Sequence, residues 1–511
     1  MPRPSVRPAR FARLARLAQP AGLSALAVAT VIALPASTIA QVPAPPLSAA
    51  DSALVYRVLV AEDRRDGAAP ALTEGAAHRD ERIRRIAERA RARIADSTFA
   101  QRDLLGAPSG RPLPVWPEPE WAGRLRQLGG AAGDCAPVIA AFTDSAVHVR
   151  LRAFVVVRQR TSCHSDTEVR RHLASTVDAL PASTESRRVP AASWHEAAEA
   201  LVSLARIAPT DAAGHITRAA AHAQPQLRIA AAQAAALARD TVTLLRLARD
   251  PDNNVSEAAI AGLSRTVGHA ADSVYLSRLG TSAAQVSLAA ATALRGSTHP
   301  ELAARAQAAL QSYERRSWAS ERDVRNALRT LLGQPAREPW QPWKDEPLPQ
   351  DVVALALGAE RYIEVTMSRR HGGRSFVVEL RGDVAPIMAA RVLAKVRAGG
   401  YNGTRWHRVE SNFVIQGGGP DDNEYVGGGR FLVDELGTIA HPRGSVGMST
   451  RGHDTGDTQW FINLRDNARL MGAYTVFGVV VTGMDVVDDV LAGDEMYVLR
   501  EVSAPARRGP P

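Results

Sequence analysis

Arg408, Phe413 and Gln416 lie within nine residues of one another and run into Gly417, Gly418 and Gly419. The stretch reads NFVIQGGGP at 412–420, with Trp406 and His407 just upstream. A cation, an aromatic ring and an amide ahead of a glycine turn admit three readings: a phosphate loop, a metal site and a plain β-turn. The other chemistry-bearing residues are sparse. His148, His164, His195, His215 and His222 are scattered without ligand spacing, so each is expected to be a surface or core histidine. Cys135 and Cys163 are the only cysteines. They form a disulfide if the chain is exported, or pack as two small apolar thiols; the paired spacings of a zinc site are missing.

The elements that position these residues follow from periodicity. RYIEVTM and SFVVEL alternate with period two around the glycine turn RRHGGR at 369–374, a β-hairpin signature. Residues 383–400 read as one helix, with Asp383 as cap, Pro386 in the first turn and Gly399 at the end. Short strands TRWHRV, FVIQGG, GSVGMS, QWFINL and YTVFGVVV follow, then a second helix over 483–493 and a closing strand YVLREV. About eight strands and two helices predict a small closed antiparallel barrel. His407 falls on the opposite strand face from Arg408 and reads as structural.

Residues 51–334 are different. They are rich in Ala, Leu and Arg at helical spacing, with little strand-like alternation. QPQLRIAAAQAAAL (224–237), DPDNNVSEAAIAGL (250–263) and SAAQVSLAAATAL (282–294) repeat one plan: a polar turn, an aliphatic anchor, then an alanine-rich helix. The anchors Leu227, Val255 and Val286 are 28 and 31 residues apart. A drifting period near thirty predicts an all-α solenoid, and the windows resemble HEAT-like repeats. Such a stack offers a long surface to a protein partner and carries no evident catalytic group. Residues 335–359 open with PAREPWQPWKDEPLP, a proline-rich linker, and 504–511 read as a disordered tail.

The N-terminus reads as an export signal. Arg3, Arg7, Arg10, Arg13 and Arg16 precede the uncharged run AGLSALAVATVIAL (21–34), and small residues end at Ala40 before Gln41. The segment reads as a cleaved signal or as an uncleaved anchor; the apolar run is shorter than the roughly 20 residues of a spanning helix, so cleavage after residue 40 is the expectation, leaving a proline-rich spacer over 41–50 and no stable membrane span. Net charge is +9; removing these five arginines leaves +4, with signs mixed, so nucleic-acid binding is not expected.

Residues 360–503 carry a family resemblance. WHRVESNFVIQGGGP, GSVGMS, TQWFINL and YTVFGVVVTGMDVVD resemble, in order and spacing, a cyclophilin-type peptidyl-prolyl cis–trans isomerase of the bacterial branch. The resemblance implies that Arg408 is catalytic, with Gln416, Phe461 and Tyr474. It implies that Phe413, Val414 and Leu470 line a proline pocket and that Met448, Ser449, Thr450 and Gln459 border the groove. Proline-containing polypeptides are then the substrates, and no metal or cofactor is needed. The glycines cease to be a phosphate cradle, because the P-loop lysine is missing and no strand-to-helix pattern follows; they are expected where a peptide approaches. Ser449 stands where the family often has Ala, DTQWF replaces the usual Gly-Ser-Gln-Phe-Phe, Arg469 occupies an often aromatic position, and AARVL replaces a frequent Asn-Phe pair. The expected protein is an exported, periplasmic or secreted isomerase with a helical-repeat arm for an unidentified partner. The competing reading is a scaffold that grips proline peptides with little turnover.

Overall fold

A computed structural model describes residues 45–95, 111–130, 132–180, 191–316, 318–335, 346–368 and 371–505. The export signal of 1–40, Trp340 and Trp343, and most of the tail lie outside the described residues. From Ser48 onward the chain forms one compact unit.

Its N-terminal part is helical, from Ala49–Asp63 to Arg322–Leu331. Helices Ala191–Ile207, Pro225–Ala238, Asn253–Val267, Ala284–Ala293 and Arg322–Leu331 pack each on the next. The three anchors do this work: Leu227, Val255 and Val286 are all buried, amid alanines small enough to let neighbouring helices close up. Polar side chains cap several helices of this part, Ser48, Asp166 and Asp240 among them. Asp252 likewise accepts hydrogen bonds from the amides of Asn254 and Val255. Cys135 and Cys163 are joined as a disulfide, with Cα atoms 5.1 Å apart.

The C-terminal part is one antiparallel sheet of eight strands: β1 Tyr362–Met367, β2 Ser375–Leu380, β3 Arg408–Glu410, β4 Val414–Gly417, β5 Ser445–Met448, β6 Trp460–Asn463, β7 Val476–Thr482 and β8 Met496–Val502. Their order is β3-β4-β6-β5-β7-β2-β1-β8. The closed barrel expected from the strand count is corrected to an open, curled sheet with β3 and β8 at its edges. β3 is only three residues long, and what faces β8 is the irregular stretch Thr404–Trp406. A single isolated bridge, Arg405 to Glu495, and its flanking backbone hydrogen bonds tether the two edges.

Helix Pro386–Arg397 packs against β7 and β8, and Met388, Val392 and Val396 of its expected stripe are buried. Its expected cap is also corrected. Asp383 is drawn into an ion pair with buried Arg381 at 2.7 Å. The carboxylate of Glu435 accepts from the first helical amides instead, Ile387 N at 3.2 Å and Met388 N at 2.6 Å. Within the expected linker, Val352–Ala356 form a short helix with Val352 and Leu355 buried.

The helical part lies against the sheet over a broad front. Buried Arg93 donates to the carbonyls of Leu436 and Val384 and pairs with Glu62 at 2.8 Å. Trp116 donates to Val480 O, His148 meets Ser411 Oγ, and His195 meets Ala492 O. Among the described residues no helix is long and apolar enough to cross a membrane.

Candidate active site

Strand register brings the central residues together. Arg408 faces Gln416 across β3 and β4, Gln416 faces Phe461 across β4 and β6, and Phe461 faces Gly447 across β6 and β5. Directly opposed residues of antiparallel strands share a face, so three side chains form one row. Gly447 ends the row because the Phe461 ring lies over it: an added Cβ would stand 2.5 Å from Phe461 Cζ. A one-residue slip in any ladder would send a member of the row to the other face.

The row borders a hollow of about 310 Å³. Phe413, Val414, Phe461 and Leu470 supply its apolar wall, and Arg408, Gln416, Ser449, Thr450 and Tyr474 its polar rim. Two of the expected groove residues stand elsewhere. The Met448 side chain is fully buried and faces Gly456. Gln459 lies behind the wall, accepting from Gln416 Nε2 at 3.1 Å and donating to the carbonyls of Asn423 and Val426. Glu424, Tyr425 and Arg451 also line the hollow and were not anticipated. They sit in irregular segments, where no period marks which residues turn inward.

The glycine run serves packing rather than approach to the hollow, a further correction. A Cβ on Gly417 would lie 2.5 Å from Arg405 O. Gly418, at φ +88°, is pressed against Trp460. Trp406 and Trp460 pack edge to face beneath the turn, 4.9 Å between centroids.

Arg408 is held from two sides. Its Nη1 donates to Gln416 Oε1 at 3.2 Å, and its Nε donates to Glu410 Oε1 at 3.0 Å. The side chain remains 40% exposed, so it stands at the rim. Gln416 is fixed in turn by donating to Ser449 Oγ at 3.0 Å. Phe461 is braced by an edge contact with Tyr474 at 5.4 Å and by His441 stacked at 6.1 Å. Burial pushes His441 down to about 4, so it is a neutral packing ring at neutral pH. His407 is likewise pushed to about 4, by burial and then by the charge of Arg408. The Arg469 guanidinium caps the Phe413 ring at 4.3 Å, a cation–π contact that covers the outer edge of the apolar wall.

An apolar hollow with a fixed guanidinium at its rim, on a curled eight-stranded sheet, is the arrangement of a cyclophilin. Residues 362–502 match the family described as cyclophilin type peptidyl-prolyl cis-trans isomerase. A probable peptidyl-prolyl cis-trans isomerase of Brucella suis is 35% identical over 161 residues, covering 28% of this chain and 82% of the relative. The chain therefore belongs to the cyclophilin-type peptidyl-prolyl cis–trans isomerase family. A peptidyl-prolyl cis-trans isomerase of Acinetobacter baylyi is 39% identical over 121 residues, covering 22% of this chain and 64% of the relative. A solved cyclophilin type isomerase of Cryptosporidium parvum aligns at 22% identity over 29% of this chain and all of its own, with a TM-score of 0.27.

Proposed function

We propose that this protein is an exported isomerase that speeds cis–trans interconversion of X-Pro bonds in polypeptides outside the cytoplasm. The Arg408 guanidinium beside the hollow walled by Phe413 and Phe461 carries this reading. Rotation about an amide meets a barrier of about 18–20 kcal/mol, because the C–N bond is partly double. No bond to substrate need form, so what is required is a surface that fits the twisted amide better than the planar one. In the twisted state the proline nitrogen becomes pyramidal and regains its lone pair. Arg408 donates a hydrogen bond to that nitrogen and remains charged at any ordinary pH. The apolar wall holds the pyrrolidine ring, and Gln416 fixes the guanidinium and orients the chain. Tyr474 and Leu470 close the hollow, while Ser449 and Thr450 flank it. A 10⁵-fold acceleration corresponds to roughly 7 kcal/mol of preference for the twisted state.

The helical part is proposed to be a HEAT-like repeat stack that binds a protein partner. Support comes from the near-thirty-residue spacing of its buried anchors and the packing of each alternate helix on the next. The arginine-rich N-terminus supports export to the periplasm or beyond.

One observation favours the alternative of a weakly catalytic proline-binding scaffold: Glu410 already accepts hydrogen bonds from the Arg408 guanidinium. Isomerisation of a proline tetrapeptide by wild type and Arg408→Ala separates the readings. Turnover well above background that collapses in the variant supports the isomerase; equal near-background rates favour the scaffold.

A further inference from the structure

The segment from Asp421 to Phe431 contributes Glu424 and Tyr425 to the wall of the hollow. This segment has no strand ladder of its own to hold it. Gln459, which donates to the carbonyls of Asn423 and Val426, and Arg405, which pairs with Asp422, tie it to the sheet part, and the helical part adds a second set of restraints. Asn254, in the first turn of helix Asn253–Val267, donates to Asp421 O at 3.1 Å. The amide of Ala319 donates to Gly429 O at 2.9 Å. The Arg322 guanidinium lies 5.1 Å from the centre of the Phe431 ring. Arg451 joins the two parts. It donates to Tyr425 O at 2.7 Å and Glu424 O at 3.0 Å, to Ser320 O at 3.1 Å, and pairs with Asp323 at 3.1 Å.

We infer that the helical part is a structural component of the isomerase site: Asp323 and Asn254 are positioning residues that hold the Glu424–Tyr425 wall. The inference rests on the proposed use of the hollow by proline peptides and extends it to residues more than eighty positions upstream of Arg408. The physical reason is entropic. An irregular segment of about ten residues, rich in glycine, loses substantial backbone freedom when fixed, of order 1–2 kcal/mol per residue. Contacts already made in the free protein remove that cost from the binding of substrate. Releasing the wall therefore weakens substrate binding, while the row of Arg408, Gln416 and Phe461, held by its own strands, keeps the same chemistry. Truncating Asp323 leaves the Arg451 guanidinium 22% exposed and still donating to the carbonyls of Glu424, Tyr425 and Ser320, so its charge is not stranded without acceptors.

The test uses the full chain and two readouts: steady-state isomerisation of a proline tetrapeptide and equilibrium binding of the same peptide by fluorescence titration. Asp323→Ala and Asn254→Ala are each expected to raise KM and the peptide Kd about two- to fivefold, the worth of one exposed polar contact, with kcat within twofold of wild type. Asp323→Glu restores KM; a loss caused by general destabilisation would lower kcat and the melting temperature together and would not follow the charge. Unchanged KM and Kd in both alanine variants of an active wild type overturn the inference. If wild type binds the peptide without turning it over, the isomerase reading fails while the shift in Kd still decides this one. If wild type does not bind the peptide, both fall.

Discussion

Arg408 stands directly opposite Gln416 in the β3–β4 ladder, and its guanidinium donates to the Gln416 amide oxygen at 3.2 Å. The carboxylate of Glu410, two residues along the same strand, accepts from the other edge of the guanidinium. The orientation of the cation is thus set by a neutral acceptor inside the hollow and an anion outside it.

Replacing Arg408 by Lys keeps the charge but loses the fork that spans both acceptors. We expect kcat/KM for a proline tetrapeptide to fall about 10²- to 10³-fold, the usual cost of one lost transition-state donor. Retention of more than half the wild-type value would show that a point charge suffices.

Glu410→Ala should act in the opposite direction. The pair is solvent-exposed, so breaking it costs at most about 1 kcal/mol, and kcat should rise by up to about fivefold as the guanidinium is freed. A fall in kcat would mean that Glu410 aligns the cation rather than competing for it.

Gly447→Ala places a methyl group 2.5 Å from the end of the Phe461 ring. The ring must swing into the hollow. Overpacking of this kind costs about 1–3 kcal/mol, so chemical denaturation should show that loss together with a raised KM. An unchanged KM would place the ring outside the substrate's path.

A pH effect arises where the two parts of the chain meet. Burial, and then the neighbouring charge of Glu424, push the Glu257 carboxyl up to about 7. The folded protein therefore holds this proton more tightly than the unfolded chain does. Its contribution to stability is fully present below the ordinary carboxyl value and is lost as pH rises through about 7. Melting temperatures between pH 5 and 8 should decline more steeply for wild type than for Glu257→Gln. Parallel curves would remove Glu257 from the account.

The disulfide closes a loop of 28 residues in sequence separation. Chain entropy assigns such a bridge roughly 3–4 kcal/mol. Cys135→Ser/Cys163→Ser should unfold at correspondingly lower denaturant concentration, with isomerase activity at low temperature retained, because neither cysteine touches the hollow. A midpoint equal to that of the oxidised protein would show that the reduced chain is already as constrained.

Local pattern carried much of the site. Alternation along FVIQGG and QWFINL fixes which side chains share a face, and the order of the strands brings Arg408, Gln416 and Phe461 into one row once they pair in register. Helical spacing likewise marks Leu227, Val255 and Val286 as buried anchors. These are properties of a few neighbouring residues, and their periods are written in the chain. What covers each face is not. Glu424, Tyr425 and Arg451 enter the hollow through irregular backbone that no period describes. Glu435 displaces Asp383 as helix cap from about fifty residues away, and Met448 turns from the groove because register at β5 is settled by its partners. The seating of the helical part against the pocket wall was decided only by long-range contacts, each worth little alone and effective because the packed fold makes them together.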